Sequence, residues 1–161
     1  MTATTRAAPA STSVAIVAAT VLGLSAGSML NEAVVLVGFW RSLPAQEFLD
    51  WYADNAQRLS GYYGPLQIAA ALSAITAAVL YRVRRHTGSG LLVLSAVLAV
   101  TALVTFFVYF KDVNASFAAG TIALDRVPAE LARWSFWQWG RTAIGIGAFV
   151  SALFAVRSRD V

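Results

Sequence analysis

Two ionisable side chains, Glu32 and Arg141, lie inside long apolar stretches of the sequence. A charge near the centre of a bilayer costs about 2.5–3.5 kcal/mol on insertion scales, so such a residue has a partner or a function. A desolvated carboxylate acts as a general base, and a guanidinium stabilises an oxygen that becomes negative. We therefore predict that Glu32 and Arg141 pair and are the catalytic residues of a buried site. The alternative is an ion pair that only fixes the register of two helices.

The side chains that the chain lacks narrow this chemistry further. There is no cysteine, and His86 is the single histidine. Disulfides, thiolate catalysis, Cys/His zinc sites, bis-histidine haem and di-iron sites of the Glu-x-x-His type are excluded. We predict no metal site and no cofactor. His86 stands among arginines in a short polar connection, where a solvated side chain is expected.

Composition identifies the environment of the chain. Of its 161 residues, 58% are apolar and only 12% are charged, whereas soluble domains carry about 25% charged residues. Four apolar stretches, at about residues 14–39, 62–81, 91–110 and 137–156, are each long enough to cross a hydrocarbon core of roughly 30 Å. The sequence predicts an all-α, four-helix transmembrane bundle in one integral membrane domain over residues 1–161. A cleaved signal peptide is the rival interpretation of the first stretch, and we favour a retained helix.

The basic residues predict the orientation of the bundle. Cytoplasmic connections carry an excess of Lys and Arg, which places both termini in the cytoplasm and the chain in the plasma (inner) membrane. The inner segments then hold six arginines and one acid, namely Arg6, Arg82, Arg84, Arg85, Arg157, Arg159 and Asp160. The outer connections are nearly neutral, and SLPAQEFLDW, which starts at Ser42, predicts a short interfacial helix in the first of them. VPAELARW in the second loosely repeats it, through duplication or coincidence. The positions of the basic residues are therefore explained by insertion into a bilayer. We predict the bilayer and a hydrophobic small molecule or lipid as partners, and no nucleic acid.

Depth along the helices groups several polar side chains in one layer. With a rise of 1.5 Å per residue, Glu32, Gln67 and Arg141 each lie roughly 7–9 Å outward of the midplane, and Tyr109 and Asn114 lie higher. The tryptophans, Trp40, Trp51, Trp134, Trp137 and Trp139, all fall on this outer side. They form either an interfacial aromatic belt or the wall of a ligand pocket. We predict Gln67, Tyr109, Asn114, Trp134 and Trp139 as ligand-binding residues.

Three segments together resemble the anthrone oxygenase-like family of small four-helix membrane proteins. They are GLSAGSMLNEAVV in the first stretch, KDVNASF after the third and WSFWQWGRT at the start of the fourth. The family often has a proline near Phe39, whereas here the proline is Pro44. The resemblance implies oxygenation of a flat, apolar anthrone to an anthraquinone, with dioxygen as co-substrate. It also implies roles for Asn114, Trp134, Trp139 and Arg141, which stand where the family's matching residues do.

Three classes of function remain open at this point. The first is a cofactor-independent oxygenase acting on an apolar aromatic compound. The second is a non-catalytic binder or carrier of a hydrophobic small molecule or lipid. The third is a structural accessory subunit. The sequence does not predict the oligomeric state.

Overall fold

The structure, a computed structural model, describes residues 10–158 and contains four long helices there. They are α1 (Ser11–Ser42), α2 (Ala45–Val83), α3 (Ser89–Ala118) and α4 (Leu124–Arg157). Each predicted span lies within one of these helices, and all four are long and apolar enough to cross a membrane. The predicted four-helix bundle is confirmed. We call the end with the α1–α2 and α3–α4 connections the outer end, and the end with the α2–α3 connection the inner end.

The helices extend well beyond the predicted spans at the outer end. The segment predicted to be a separate interfacial helix is the start of α2, which begins after Pro44 and continues for 39 residues. Pro65 lies within this helix without ending it. Phe48, Leu49 and Tyr52 are buried against the bundle instead of facing a membrane surface. The second outer segment similarly opens α4, with a short 3₁₀ turn over Leu124–Arg126.

The inner half of the bundle has a core of small side chains. Its buried residues are mainly alanines, which let helices approach closely, as small residues do in membrane bundles. Ser95 of α3 donates a hydrogen bond of 2.7 Å to the backbone carbonyl of Ala148 in α4. Gly23 makes room for Phe149, because a Cβ there would lie 3.0 Å from its ring. Gly27, one turn further along α1, has open space around it, so the close contact involves Gly23 alone of these two glycines.

The outer half has an aromatic core. Trp40, Phe48 and Phe117 are completely buried there, and Trp134 is 1% exposed. The rings meet edge to face, with centroids 5.2 Å apart for Trp40 and Trp134 and 5.0 Å apart for Phe48 and Phe117. Such pairs add about 0.5–1.5 kcal/mol to the burial of their area. Trp40 and Trp134 therefore hold the outer ends of the helices together. An interfacial belt does not account for these two tryptophans, and a ligand pocket does not account for them fully.

Two of the helices contain one π-helical segment each. In α1 it covers Glu32–Leu36, and in α3 it covers Phe106–Phe110. π-Helical turns inside α-helices occur frequently at functional sites. Both segments lie at the level where the aromatic core meets the rest of the bundle, and the first begins with the buried glutamate.

The inner end differs from the prediction at His86. Its ring is half-buried, lies against Tyr81 with centroids 5.1 Å apart, and is 3.0 Å from the hydroxyl of Ser11. The prediction of a solvated His86 is wrong, because the polar turn folds back on the first turn of α1. The predicted orientation depends partly on Arg6, Arg159 and Asp160, which lie outside the described residues. It stays a prediction.

Candidate functional site

The predicted pair of intramembrane charges meets in the interior of the bundle. Nη2 of Arg141 lies 2.9 Å from Oε2 of Glu32, and each side chain is about 5% exposed. The guanidinium carbon lies 4.1 Å from the ring centroid of Phe110, which places the cation on an aromatic face. Within the described residues this is the only ion pair. It joins α1 and α4 just below the aromatic core.

Gln138 completes the pair, and sequence reasoning missed it. Its Nε2 donates bonds of 2.9 Å to Oε2 of Glu32 and to the backbone carbonyl of Met29, while its Oε1 accepts from Nη2 of Arg141. Thr142 also donates to the carbonyl of Met29, at 3.3 Å. Gln138 lies three residues before Arg141, so both side chains share one face of α4. That spacing was the signal that could have identified Gln138.

A cavity of about 470 Å³ lies beside this network. Its volume falls in the range of pockets that bind small molecules, which is about 300–1,000 Å³. All four helices contribute to its walls. The polar side chains that line it are Glu32, Tyr52, Gln57, Ser60, Tyr63, Gln67, Asn114 and Arg141. Most of the remaining wall is apolar or aromatic and consists of Ala56, Leu59, Gly64, Ile68, Leu103, Phe106, Phe107, Ala115 and Trp134.

Five of the seven predicted site residues line this cavity, and they are Glu32, Gln67, Asn114, Trp134 and Arg141. Asn114 and Trp134 are joined directly, since the indole Nε1 donates to Oδ1 of the amide at 2.9 Å. The amide oxygen of Asn114 therefore accepts a hydrogen bond from Trp134, and its NH₂ group can donate to a ligand. These five residues of the predicted site therefore share one cavity.

Tyr109 and Trp139, the other two predicted residues, do not line the cavity. Tyr109 stacks on Trp137, with centroids 5.0 Å apart, and donates its hydroxyl to Glu130 at 2.7 Å. Trp139 is 48% exposed on the outside of the bundle. It follows Gln138 directly, and one residue turns a helix by about 100°. Depth was predicted for both residues, but their direction around the helix was not.

The cavity also contains residues that the sequence did not single out. The phenols of Tyr52 and Tyr63 line it, and both lie close enough to interact electrostatically with Glu32 and Arg141. Phe106 and Phe107 belong to the π-helical segment of α3 and form part of its wall. These aromatic residues stand in the outer halves of their helices, so the predicted aromatic pocket is built largely from phenols and phenyl rings rather than from tryptophans.

Two polar atoms of the ion pair have unused hydrogen-bonding capacity. Nε of Arg141 is buried and has no partner among the described residues. The bonds that Glu32 accepts from Arg141 and Gln138 both end on Oε2, so Oε1 accepts none from them. A buried donor without a partner costs about 1–3 kcal/mol. A ligand oxygen beside Arg141 would remove that cost.

The donor set at this site is not that of a metal centre. In residues 10–158, no three His, Cys, Asp or Glu side chains come together in a way that could hold a metal ion. Glu32 is the only carboxylate that lines the cavity, and the other polar groups there are phenols, amides, one hydroxyl and one guanidinium.

Fold and composition together define the class of this protein as an all-α, multi-pass membrane protein, in which residues 10–158 form four long helices. Comparison with known proteins adds no narrower class, because no family model, no curated protein and no solved structure matches the chain. The resemblance to the anthrone oxygenase-like family therefore stays a hypothesis, and the function has to be argued from the cavity itself.

Proposed function

We propose that this protein is a membrane-embedded, cofactor-independent oxygenase that acts on a flat, apolar aromatic compound with an acidic C–H group beside a carbonyl. One observation carries the proposal: a carboxylate and a guanidinium that bind each other both line a cavity with aromatic walls. The cavity is large enough for a fused ring system, and Glu32 and Arg141 are the charged side chains in its wall. The rings of Phe106 and Trp134 would contact the faces of the substrate.

The proposed reaction begins with proton transfer. Oε1 of Glu32, which accepts no hydrogen bond from Arg141 or Gln138, takes the proton from the substrate C–H, and the electron pair moves onto the substrate as an enolate. The negative charge thus moves from Glu32 to the enolate oxygen, and Arg141 lies next to both positions. Its Nε would donate to that oxygen, so the total charge of the site does not change. Pre-oriented donors of this kind stabilise a developing charge strongly where water is excluded.

Dioxygen, the oxidant, then reacts with the carbanionic carbon. A C–O bond forms, dioxygen is reduced to the peroxide level, and the proton held by Glu32 passes to the peroxide. Loss of water breaks the O–O bond and the second C–H bond and leaves a carbonyl. The sum converts one methylene and one dioxygen into one carbonyl and one water. Asn114 would donate its NH₂ to the substrate carbonyl, since its own oxygen is held by Trp134.

Oxygen uptake by the purified protein with anthrone as substrate tests this proposal. Glu32→Gln keeps the size of the side chain but removes the base, and general-base catalysis contributes about 10²–10⁴-fold. We expect turnover to fall at least about 100-fold. The matched control is Glu47→Gln, an exposed glutamate in the first turn of α2, which should leave turnover unchanged. Full activity of Glu32→Gln would remove Glu32 as the base.

A second candidate function is non-catalytic binding or carriage of the same class of molecule. It is favoured by the bonds that Oε2 of Glu32 already accepts from Arg141 and Gln138, because a carboxylate paired with a cation is a weaker base. In that event the unmodified protein would bind the flat carbonyl compound 9-fluorenone saturably and would consume no oxygen with anthrone.

A further inference from the structure

The cavity opens sideways rather than at the end of the bundle. Its lining residues on α1 and α4, namely Glu32, Trp134 and Arg141, are all buried. The exposed lining side chains lie only on α2 and α3, and they include Gln57, Ser60, Ile68 and Phe107. The opening therefore lies between these two helices.

The two ends of the bundle are closed above and below this opening. Toward the outer end, the aromatic core contains the completely buried rings of Trp40, Phe48 and Phe117. Toward the inner end, Ala74 of α2 and Ala99 of α3 belong to the alanine-rich core. A ligand that followed the bundle axis from either end would have to separate one of these cores. The gap between α2 and α3 needs no such change.

Regular α-helical hydrogen bonding is interrupted on both edges of this gap. In α2, Gly64 is followed by Pro65, which has no backbone N–H and cannot complete the helical hydrogen bond to the preceding turn. In α3, the edge is the π-helical segment Phe106–Phe110. Ile68 and Phe107 line the gap from within the predicted spans, so the side chains that flank its lower part are apolar and face the hydrocarbon region. Gln57 and Ser60 make its upper part polar.

We propose that the ligand enters this cavity from the bilayer, through the gap between α2 and α3, and is therefore a membrane-dissolved molecule with an apolar ring body and one polar end. The polar end reaches the Glu32–Arg141 pair, and the apolar body lies between Ile68 and Phe107. This inference rests on the proposed function for the nature of the cavity. It adds the route and the requirement that the ligand partitions into lipid.

The natural absence of cysteine makes a direct test available, since one introduced thiol is the only one in the protein. Phe107 and Val108 are neighbours with nearly equal exposure, 64% and 66%, but only Phe107 lines the cavity. Phe107→Cys and Val108→Cys are each labelled with N-cyclohexylmaleimide in proteoliposomes. Stopped-flow quenching of tryptophan fluorescence by 9-fluorenone then gives the association rate. We expect at least a tenfold slower association for labelled Phe107→Cys and no change for labelled Val108→Cys.

A second pair of cysteine variants, on α2, tests the same route in case the substitution of Phe107 impairs folding. Ile68 is 49% exposed and lines the gap, whereas Leu72, one turn further along α2, is 59% exposed and does not line it. Labelled Ile68→Cys should slow association, and labelled Leu72→Cys should not. Saturable binding with the same rate in all labelled variants would overturn the lateral route and leave the cavity as the binding site. Absence of saturable quenching in the unlabelled protein would overturn the binding site and the route together.

Discussion

Arg141 and Glu32 stand 109 residues apart in the sequence, and their side chains meet at 2.9 Å between the last and the first helix of the bundle. The contact joins the last helix to the first, so the four helices form a closed ring in which each packs against the next. It also divides the molecule, with an aromatic core on its outer side and an alanine-rich core on its inner side. Gln138 bonds to both members, so the three side chains form one unit.

Removing one member of the ion pair should be costlier than removing both. Breaking a buried pair leaves one uncompensated charge, at a cost of about 3–5 kcal/mol. Arg141→Met and Glu32→Gln should each lower the free energy of unfolding in detergent by that order, and the double variant should recover part of the loss. Thermal or denaturant unfolding measures the effect. Strictly additive losses would show that the two charges do not interact.

Gln138→Leu should destabilise the protein although it introduces an apolar side chain into an apolar bundle. The substitution removes the amide that donates to Glu32 and to the carbonyl of Met29, which keeps the longer bond of 3.3 Å from Thr142. It also removes the oxygen that accepts from Arg141, and the loss of these buried bonds, two of them to charged groups, costs about 1–3 kcal/mol. We expect a loss of that size in the same unfolding experiment. The control is Gln46→Leu, which replaces an exposed glutamine whose amide donates to Asp50, and a change within about 0.5 kcal/mol is expected there. Equal effects at the two positions would contradict the role of Gln138.

Ligand quenching should come from one tryptophan. Trp134 lines the cavity, whereas Trp139 lies on the outside of the bundle. Quenching by 9-fluorenone should be largely lost in Trp134→Phe and retained in Trp139→Phe, measured at equilibrium after correction for the lost emission. The opposite result would place the ligand outside the cavity.

Two glycines with positive φ offer a comparison of close packing. Gly88 has φ +82° and Gly120 has φ +61°, so alanine at either position adopts a left-handed conformation that costs about 1–2 kcal/mol. At Gly88 the new Cβ would also lie 2.9 Å from the backbone oxygen of Ala155, whereas at Gly120 it meets nothing within 4 Å. Gly88→Ala should be the more destabilising by about 1–3 kcal/mol, as overpacking is. Equal unfolding free energies would mean that the inner turn does not pack on α4 as described.

The orientation of the bundle can be checked on a single helix. Asp54 and Arg84 flank a length of α2 that, at 1.5 Å per residue, spans roughly 45 Å, close to the full thickness of a bilayer. With the termini in the cytoplasm, Asp54→Cys should react with a membrane-impermeant maleimide in intact cells. Arg84→Cys should react only after permeabilisation. The reverse pattern would invert the predicted orientation, and equal labelling would contradict the membrane span.

Much of the site was predictable because charge is costly in lipid. Glu32 and Arg141 are conspicuous in apolar stretches, and a fixed rise per residue gives their depth, so the pairing could be inferred without any contact information. Gln67 followed from the same depth, whereas Asn114 and Trp134 followed from their position toward the outer side and from the family resemblance. Gln138 was missed because an amide in a tryptophan-rich segment has a much weaker signal than a charge.

Direction around a helix was the part that the sequence did not supply. A π-helical turn contains one residue more than an α-helical turn, so side chains beyond it are rotated by about 100° relative to a regular helix. Tyr109 lies inside such a turn, and it faces Trp137 instead of the cavity. Similarly, the tryptophans were divided between belt and pocket, whereas burial places Trp40 and Trp134 in a shared core. Hydropathy indicates which segments lie in the membrane, but it contains no information on which aromatic rings contact each other.

The alanine-rich inner core has a mechanical consequence for the cavity. α2 and α3 are in close contact at the inner end and are separated by the cavity further along. A rotation of one helix against the other at the inner end therefore moves their outer parts by a larger distance. From Ala74 to Ser60 the distance along α2 is about 20 Å, so a slight change of crossing angle among the alanines is magnified at the opening. The width of the gap between α2 and α3 therefore depends on the packing of alanines that do not line the cavity.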